Sequence, residues 1–146
     1  GIIHCFEFIR IPTGIINGLT FDDETMYYTG RYSYEFGYNG MRQALEKTKG
    51  LTAAFAMADV IAIGAIRALL DEGLRVPEDI SVAGFDDTPI CEMLRPALTT
   101  VRQDGALRAG LAVEKLRELK EGRPVETEIM LPVSLVMRNS TAPRRG

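Results

Sequence analysis

From Thr25 onward the apolar positions of the chain switch repeatedly between two periods. Short β-rich runs give way to stretches with apolar residues three and four apart, the order that builds βαβ units around a parallel sheet. Residues 26–29 read as a short strand ending at Gly30. Ser33 is placed to cap a helix running to Lys47, with Phe36, Met41, Ala44 and Leu45 on one stripe and Gly50 beyond its end. Residues 51–57 are continuously apolar, as in a strand buried on both faces. Asp59 stands at an N-cap position for the next helix, whose inward face reads as Ile63, Ile66, Leu69 and Leu70 before Gly73 and Pro77 end it. Residues 80–85 form a further strand that opens directly onto Asp86-Asp87-Thr88-Pro89.

Residues 98–101 predict an extended crossover, and Asp104 caps a long helix to Glu121. That helix is apolar along Ala109, Ala112, Val113, Leu116 and Leu119, and charged along Glu114, Lys115, Arg117, Glu118 and Lys120. Gly122 and Pro124 stop it. Residues 129–137 predict a last strand that Pro132 confines to an edge or a bulge, and residues 139–146 a polar tail. Residues 1–20 are strongly apolar but follow neither period.

Composition narrows the function. A chain of 146 residues holds one domain with a core, and 46% hydrophobic with 25% charged residues is a soluble globular balance. A net charge of -3 argues against a surface built to coat phosphate backbones. No apolar run approaches the roughly 20 residues that span a bilayer, so no membrane partner is expected. One histidine, His4, and two cysteines, Cys5 and Cys91, cannot form a four-ligand zinc site, and no metal or cofactor is expected. So few cysteines suit a reducing, cytoplasmic setting. The start at Gly1, without Met or a secretory leader pattern, suggests a piece of something longer. Nucleophile elbows, Walker loops and dinucleotide fingerprints do not occur, which leaves a ligand-binding, non-enzymatic α/β domain.

In open parallel sheets ligands bind outside the carboxyl ends of the strands. Tyr32, Asp59 and Asp86 follow three such ends, and Gln103 closes the crossover. A carboxylate accepts hydrogen bonds from neighbouring hydroxyls and an aromatic ring covers a C–H face, so these residues fit an uncharged, hydroxyl-bearing small molecule. Helix capping by Asp59 and turn formation by Asp86 and Asp87 stand beside that reading.

From Gly30 to its end the chain resembles the effector-binding core of the LacI/GalR family of bacterial transcription regulators. The stretch Gly73-Leu74-Arg75-Val76-Pro77-Glu78-Asp79-Ile80-Ser81-Val82-Ala83-Gly84-Phe85-Asp86-Asp87 carries most of the likeness. Thr52-Ala53-Ala54-Phe55 with Ala58-Asp59, Leu98-Thr99-Thr100-Val101-Arg102-Gln103, and Leu131-Pro132-Val133-Ser134-Leu135-Val136 extend it. The resemblance implies a periplasmic-binding-protein-like type I α/β fold, two Rossmann-like lobes of which this chain holds mostly the C-terminal one. Residues 1–24 would be a remnant of the N-terminal lobe or an unplaced segment, and residues 25–146 the effector-binding and dimerisation core. Helix 104–121 would belong to the missing N-terminal lobe. By the same likeness Asp86 would receive effector hydroxyls, Tyr32 would line the pocket and Gln103 would add a polar group. Ala58 stands where the family commonly presents an asparagine.

What the resemblance implies for function is a sensor of a small sugar- or nucleoside-like effector, working as a homodimer by population shift. Operator DNA would be reached only through a helix-turn-helix headpiece absent from this chain. A periplasmic sugar-binding component of a transporter is the alternative on the same fold. Because wet apolar surface is unfavourable by about 25 cal/mol per Å², helix 104–121 is expected to pack on residues 1–20 or on another chain.

Overall fold

A computed structural model describes residues 32–143, preceded by the backbone of three short strands, β1 (Ile2–Cys5), β2 (Gly14–Ile16) and β3 (Leu19–Phe21). The strand expected over residues 26–29 lies outside the described residues. β2 and β3 pair antiparallel with each other, Ile15 opposite Thr20. Strands of three and four residues hold too few positions to display a period, which is why residues 1–20 read as patternless.

Ser33 caps α1 (Tyr34–Lys47) as expected, its hydroxyl accepting from the Phe36 N–H at 3.3 Å. Leu51 then leads into β4 (Ala53–Ala56), and α2 (Asp59–Asp71), β5 (Ser81–Asp86), the single turn α3 (Ile90–Met93), β6 (Thr99–Gln103), α4 (Gly105–Lys120) and β7 (Val133–Val136) follow. The main sheet has the order β1-β4-β5-β6-β7. Its first four strands are parallel, with Ala53 beside Ser81 and Ala83 beside Thr99, and β7 runs antiparallel along β6. Pro132 sits just ahead of β7, and β7 is the edge strand, as a proline at a strand start requires.

Burial alternates along β4 and β5 rather than covering both faces. Ala54, Ala56, Val82 and Gly84 are buried while Ala53, Phe55, Ala83 and Phe85 are half-buried. The expectation of a strand buried on both sides is therefore corrected: α2 packs on β4 and β5, and α1 packs on α2 in turn. The core gathers Leu51, Ile61, Ile66, Leu69, Ile80, Val82 and Leu98. Leu69 and Leu98 are fully enclosed, and truncating either to alanine removes about 2–5 kcal/mol.

Helix faces differ from the periodicity in informative ways. In α1 the buried residues are Gly37, Met41 and Ala44, and Phe36 is exposed. In α2 the buried arc is Asp59, Ile61, Ala62, Gly64, Ala65, Ile66, Ala68 and Leu69, leaving Leu70 outside and Ile63 half-covered. The arc is wide because α2 is pressed between the sheet and α1, so small residues rather than large ones mark its second face. At the crossing, a Cβ on Gly37 would stand 2.1 Å from the Ile61 carbonyl oxygen and one on Gly64 would stand 2.1 Å from that of Tyr34. Asp59 is not the N-cap: Ala58 occupies that position with no side-chain cap bond, and Asp59 is the first helical residue.

The segment after β7 is no solvated tail. Ser140 is fully buried; its hydroxyl donates to the Val82 carbonyl at 2.6 Å and accepts from the Thr99 N–H at 2.8 Å. Its carbonyl accepts from the Val82 N–H at 2.8 Å, so the polar residues there serve backbone groups at the base of β5 and β6. α4 is capped by Asp104, whose carboxylate accepts from the Leu107 N–H at 2.9 Å, yet it has no buried residue. Val113, Leu116 and Leu119 are 60–67% exposed while the Lys115–Glu118 ion pair beside them is more covered. Among the described residues nothing covers the apolar face for which a partner was expected.

Candidate functional site

Among the described residues, Asp86, Asp87, Arg102 and Gln103 gather where β5 and β6 end. β5 runs out at Asp86, whose φ of 110° lies where side chains are rarely found, and Asp87 follows at φ 56°. Aspartate tolerates such conformations better than most residues, at a cost of order 1–3 kcal/mol when the surroundings enforce them. The surroundings here are a set of hydrogen bonds reaching up from beneath. Asp59 is 1% exposed and its carboxylate accepts from the Thr88 N–H at 2.7 Å, the Thr88 hydroxyl at 2.9 Å and the Thr100 hydroxyl at 2.6 Å. Gly84 leaves the room for this, since a Cβ there would lie 2.5 Å from Asp59 Oδ1.

The two aspartates are held in opposite ways. Arg102 and Gln103 are adjacent in β6 and so project to opposite faces of the strand. Gln103 Nε2 donates to Asp86 Oδ1 at 2.5 Å, and Gln103 Oε1 accepts from Arg108 Nη1 at 2.8 Å. Arg102 Nε donates to Asp87 Oδ2 at 2.5 Å, and Arg138 Nη2 lies 2.7 Å from Asp87 Oδ1. That last contact is an ion pair off the line of the N–H bonds, so Oδ1 is buried without a hydrogen bond. Arg138 also donates to the Leu98 carbonyl and to Glu92, tying the chain after β7 to the loop. A cleft of about 410 Å³ opens on this second side, lined in part by Asp87, Thr88, Glu92, Met93, Arg102 and Arg138; Asp86 and Gln103 do not line it.

Burial works against a charge on Asp87, but the Arg138 and Arg102 guanidiniums outweigh it and hold the carboxyl below the usual range. A folded-state value below the unfolded one, about 3.9, means this contribution to stability is complete above that pH and is lost as pH falls through the folded value. Urea midpoints measured from pH 7 down to pH 3 should therefore fall less steeply for Asp87→Asn than for the unsubstituted chain; equal slopes would deny the pair a role. Cys91 is fully buried, and burial pushes its thiol up to about 11, so it packs rather than reacts.

Of the four residues singled out in the sequence, Asp86 and Gln103 meet directly. Asp59 comes to the same loop from below, but its oxygens are taken up internally and face no opening. Tyr32 is 51% exposed just ahead of the α1 cap and, among the described residues, makes no hydrogen bond to this group. Sequence reasoning missed Thr88, Thr100, Arg102, Arg108 and Arg138. The alternation of Arg102 and Gln103 after a buried Thr99-Thr100 pair was a usable signal; Arg138 gave none. Among the described residues no group of His, Cys, Asp or Glu is arranged to hold a metal, and no helix is long and apolar enough to cross a membrane.

Comparison with known proteins bears on what this arrangement serves. Residues 18–141 match the model of the periplasmic binding protein-like domain. The HTH-type transcriptional regulator MalR of Clostridium butyricum is 37% identical over 124 residues, 85% of this chain and 37% of that protein. The lactose operon repressor of Escherichia coli (strain K12) is 40% identical over 112 residues, covering 77% and 31% respectively. Among solved structures, a complex of the transcriptional regulator CelR with cellobiose superposes with a TM-score of 0.75 at 30% identity, over 84% of this chain and 38% of that one. The lac repressor dimer bound to operator and the anti-inducer ONPF gives 0.70 at 40% identity, over 77% and 39%. The chain thus spans about a third of the length of the curated relatives it matches.

Proposed function

This chain belongs to the periplasmic binding protein-like domain family, within its LacI/GalR branch, and on that premise we propose that it is the ligand-sensing part of a transcription regulator. The relatives are transcription regulators rather than enzymes, and the reading is non-catalytic accordingly. The observation that carries it is Asp86: a carboxylate at a strand end, set at φ 110° and aligned by Gln103. Its two oxygens offer about four lone-pair sites, more than Gln103 uses, and so suit neighbouring hydroxyls of a sugar or nucleoside. Tyr32 supplies an aromatic face near the start of α1, and Asp59 braces the loop from within. Ala58 contributes no side-chain hydrogen bond, which concentrates polar recognition on Asp86 and Gln103.

In this reading the effector lies between this lobe, whose sheet β1 joins beside β4, and a second one to which α4 belongs, and a dimer couples occupancy to operator DNA through a separate headpiece in the cytoplasm. The bare apolar face of α4 supports its assignment to another body. The test is calorimetric titration of the full-length protein with sugars and nucleosides, comparing Asp86→Asn. Asparagine also tolerates φ > 0 and keeps the shape while removing the charge. Affinity should fall about tenfold or more, the worth of one charge-assisted hydrogen bond. Unchanged affinity in the variant would refute the role of Asp86.

A further inference from the structure

The effector site was read from the sequence as a receptor for an uncharged molecule, but a cation stands in it. Arg108, in the first turns of α4, reaches back to Gln103 Oε1 at 2.8 Å, and the same amide reaches Asp86 Oδ1 at 2.5 Å. One glutamine thus separates a carboxylate from a guanidinium. Arg102 and Arg138, the other guanidiniums at this end of the sheet, both pair with Asp87. Arg108 pairs with no carboxylate among the described residues and is exposed. A guanidinium carries five N–H donors in a planar fork matched to an oxyanion, and the one bond to Gln103 leaves most of that fork for a ligand. The amide bridge keeps Arg108 from neutralising Asp86 directly, so both charges stay available across roughly the width of one amide.

We propose that the effector bears an oxyanion group, a carboxylate or a phosphate, alongside its hydroxyls: Asp86 receives the hydroxyls and Arg108 receives the anion, with Gln103 setting their spacing. This rests on the reading of Asp86 as the hydroxyl receptor. A neutral sugar would leave the Arg108 fork to water, whereas a hydroxylated acid would gain a charge-assisted and geometrically matched contact. The coupling also places the ligand against α4 as well as against β5 and β6, so occupancy would fix the helix that the rest of this chain leaves uncovered.

The experiment is calorimetric titration of the full-length protein with a panel of neutral hexoses and pentoses, their uronates and their monophosphates. Inorganic phosphate and acetate serve as bare-anion controls. An acid sugar should bind about tenfold or more tightly than its neutral parent, and Arg108→Gln should level the two while Arg108→Lys retains part of the preference. Which series binds tightest, uronate or monophosphate, identifies the anion. Arg108 is exposed, so the ligand-free melting temperature of these variants should stay at that of the parent, separating lost recognition from lost folding. Neutral sugars binding as well as acids, in parent and variant alike, would overturn the proposal and leave the hydroxyl site standing. Bare anions binding as tightly as the acid sugars would overturn it by showing a surface charge effect only. If no member of the panel binds, the reading of the site falls together with the proposal.

Discussion

Substituting alanine for Gly64 should destabilise the domain by about 3 kcal/mol or more, lowering the melting temperature by on the order of 10 °C. The added methyl would meet the Tyr34 carbonyl oxygen at 2.1 Å and the Tyr38 nitrogen at 2.7 Å, and both are backbone atoms that no rotamer change can move aside. Relief requires α1 to lift from α2, which opens the contact around Met41, Ala44, Ala65 and Ala68. Gly37→Ala should behave alike, since its methyl would meet the backbone of Ile61. Gly110→Ala is the matched control. It lies inside α4 with nothing within 4 Å of the new methyl, so helix propensity acts alone and should stabilise by about 0.5–1 kcal/mol. Denaturant midpoints for the three variants should split in that order; a Gly64→Ala protein as stable as the parent would show that the helices do not cross so closely.

Removing the Asp59 carboxylate is the second large effect. Asp59→Ala would strip the Thr88 N–H, the Thr88 hydroxyl and the Thr100 hydroxyl of their acceptor, in a place that is 1% exposed. Hydrogen bonds to a charged group contribute about 1.5–3 kcal/mol each, and because these share one acceptor they will not add in full, so a loss of about 3–4 kcal/mol is expected. Asp59→Asn keeps the shape but replaces one oxygen by a donor facing a donor, and should lie between. The loss should reach function before it reaches the fold, because Thr88 holds the loop in which Asp86 sits at φ 110°. Thermal melts and effector titrations on both variants check this; an Asp59→Ala protein with parental melting temperature would sink the bracing role.

Apart from the single turn α3, which no expectation named, the strand and helix order was legible from residue 33 to residue 137, because caps or stops mark most of the longer helices. Ser33 and Asp104 accept from the backbone as their type suggests, and Gly50, Gly73 and Gly122 take the left-handed conformations that end helices. What the sequence concealed is contact at a distance. Asp59 looks like a cap and like a ligand, and only the fold shows Thr88 and Thr100, 29 and 41 residues away, claiming its oxygens. Leu70 looks like core, yet the inner faces of α2 are set by alanines and Gly64, whose small size signals a close neighbour only once that neighbour is known. Ser140 reads as tail because a hydroxyl gives no hint that it satisfies two buried backbone groups across the sheet. Asp86 and Gln103 could be nominated from their strand ends, but Arg108 could not, since the turn into α4 brings it back over Gln103.

The most direct test of the central claim is a crystal structure of the full-length protein holding whichever sugar or sugar acid raises its melting temperature most. The Asp86 carboxylate should lie about 2.6–3.2 Å from ligand hydroxyls, with Gln103 alongside and the ligand above the ends of β5 and β6. A ligand seated instead in the cleft between Asp87 and Arg138, or elsewhere with Asp86 untouched, would contradict it.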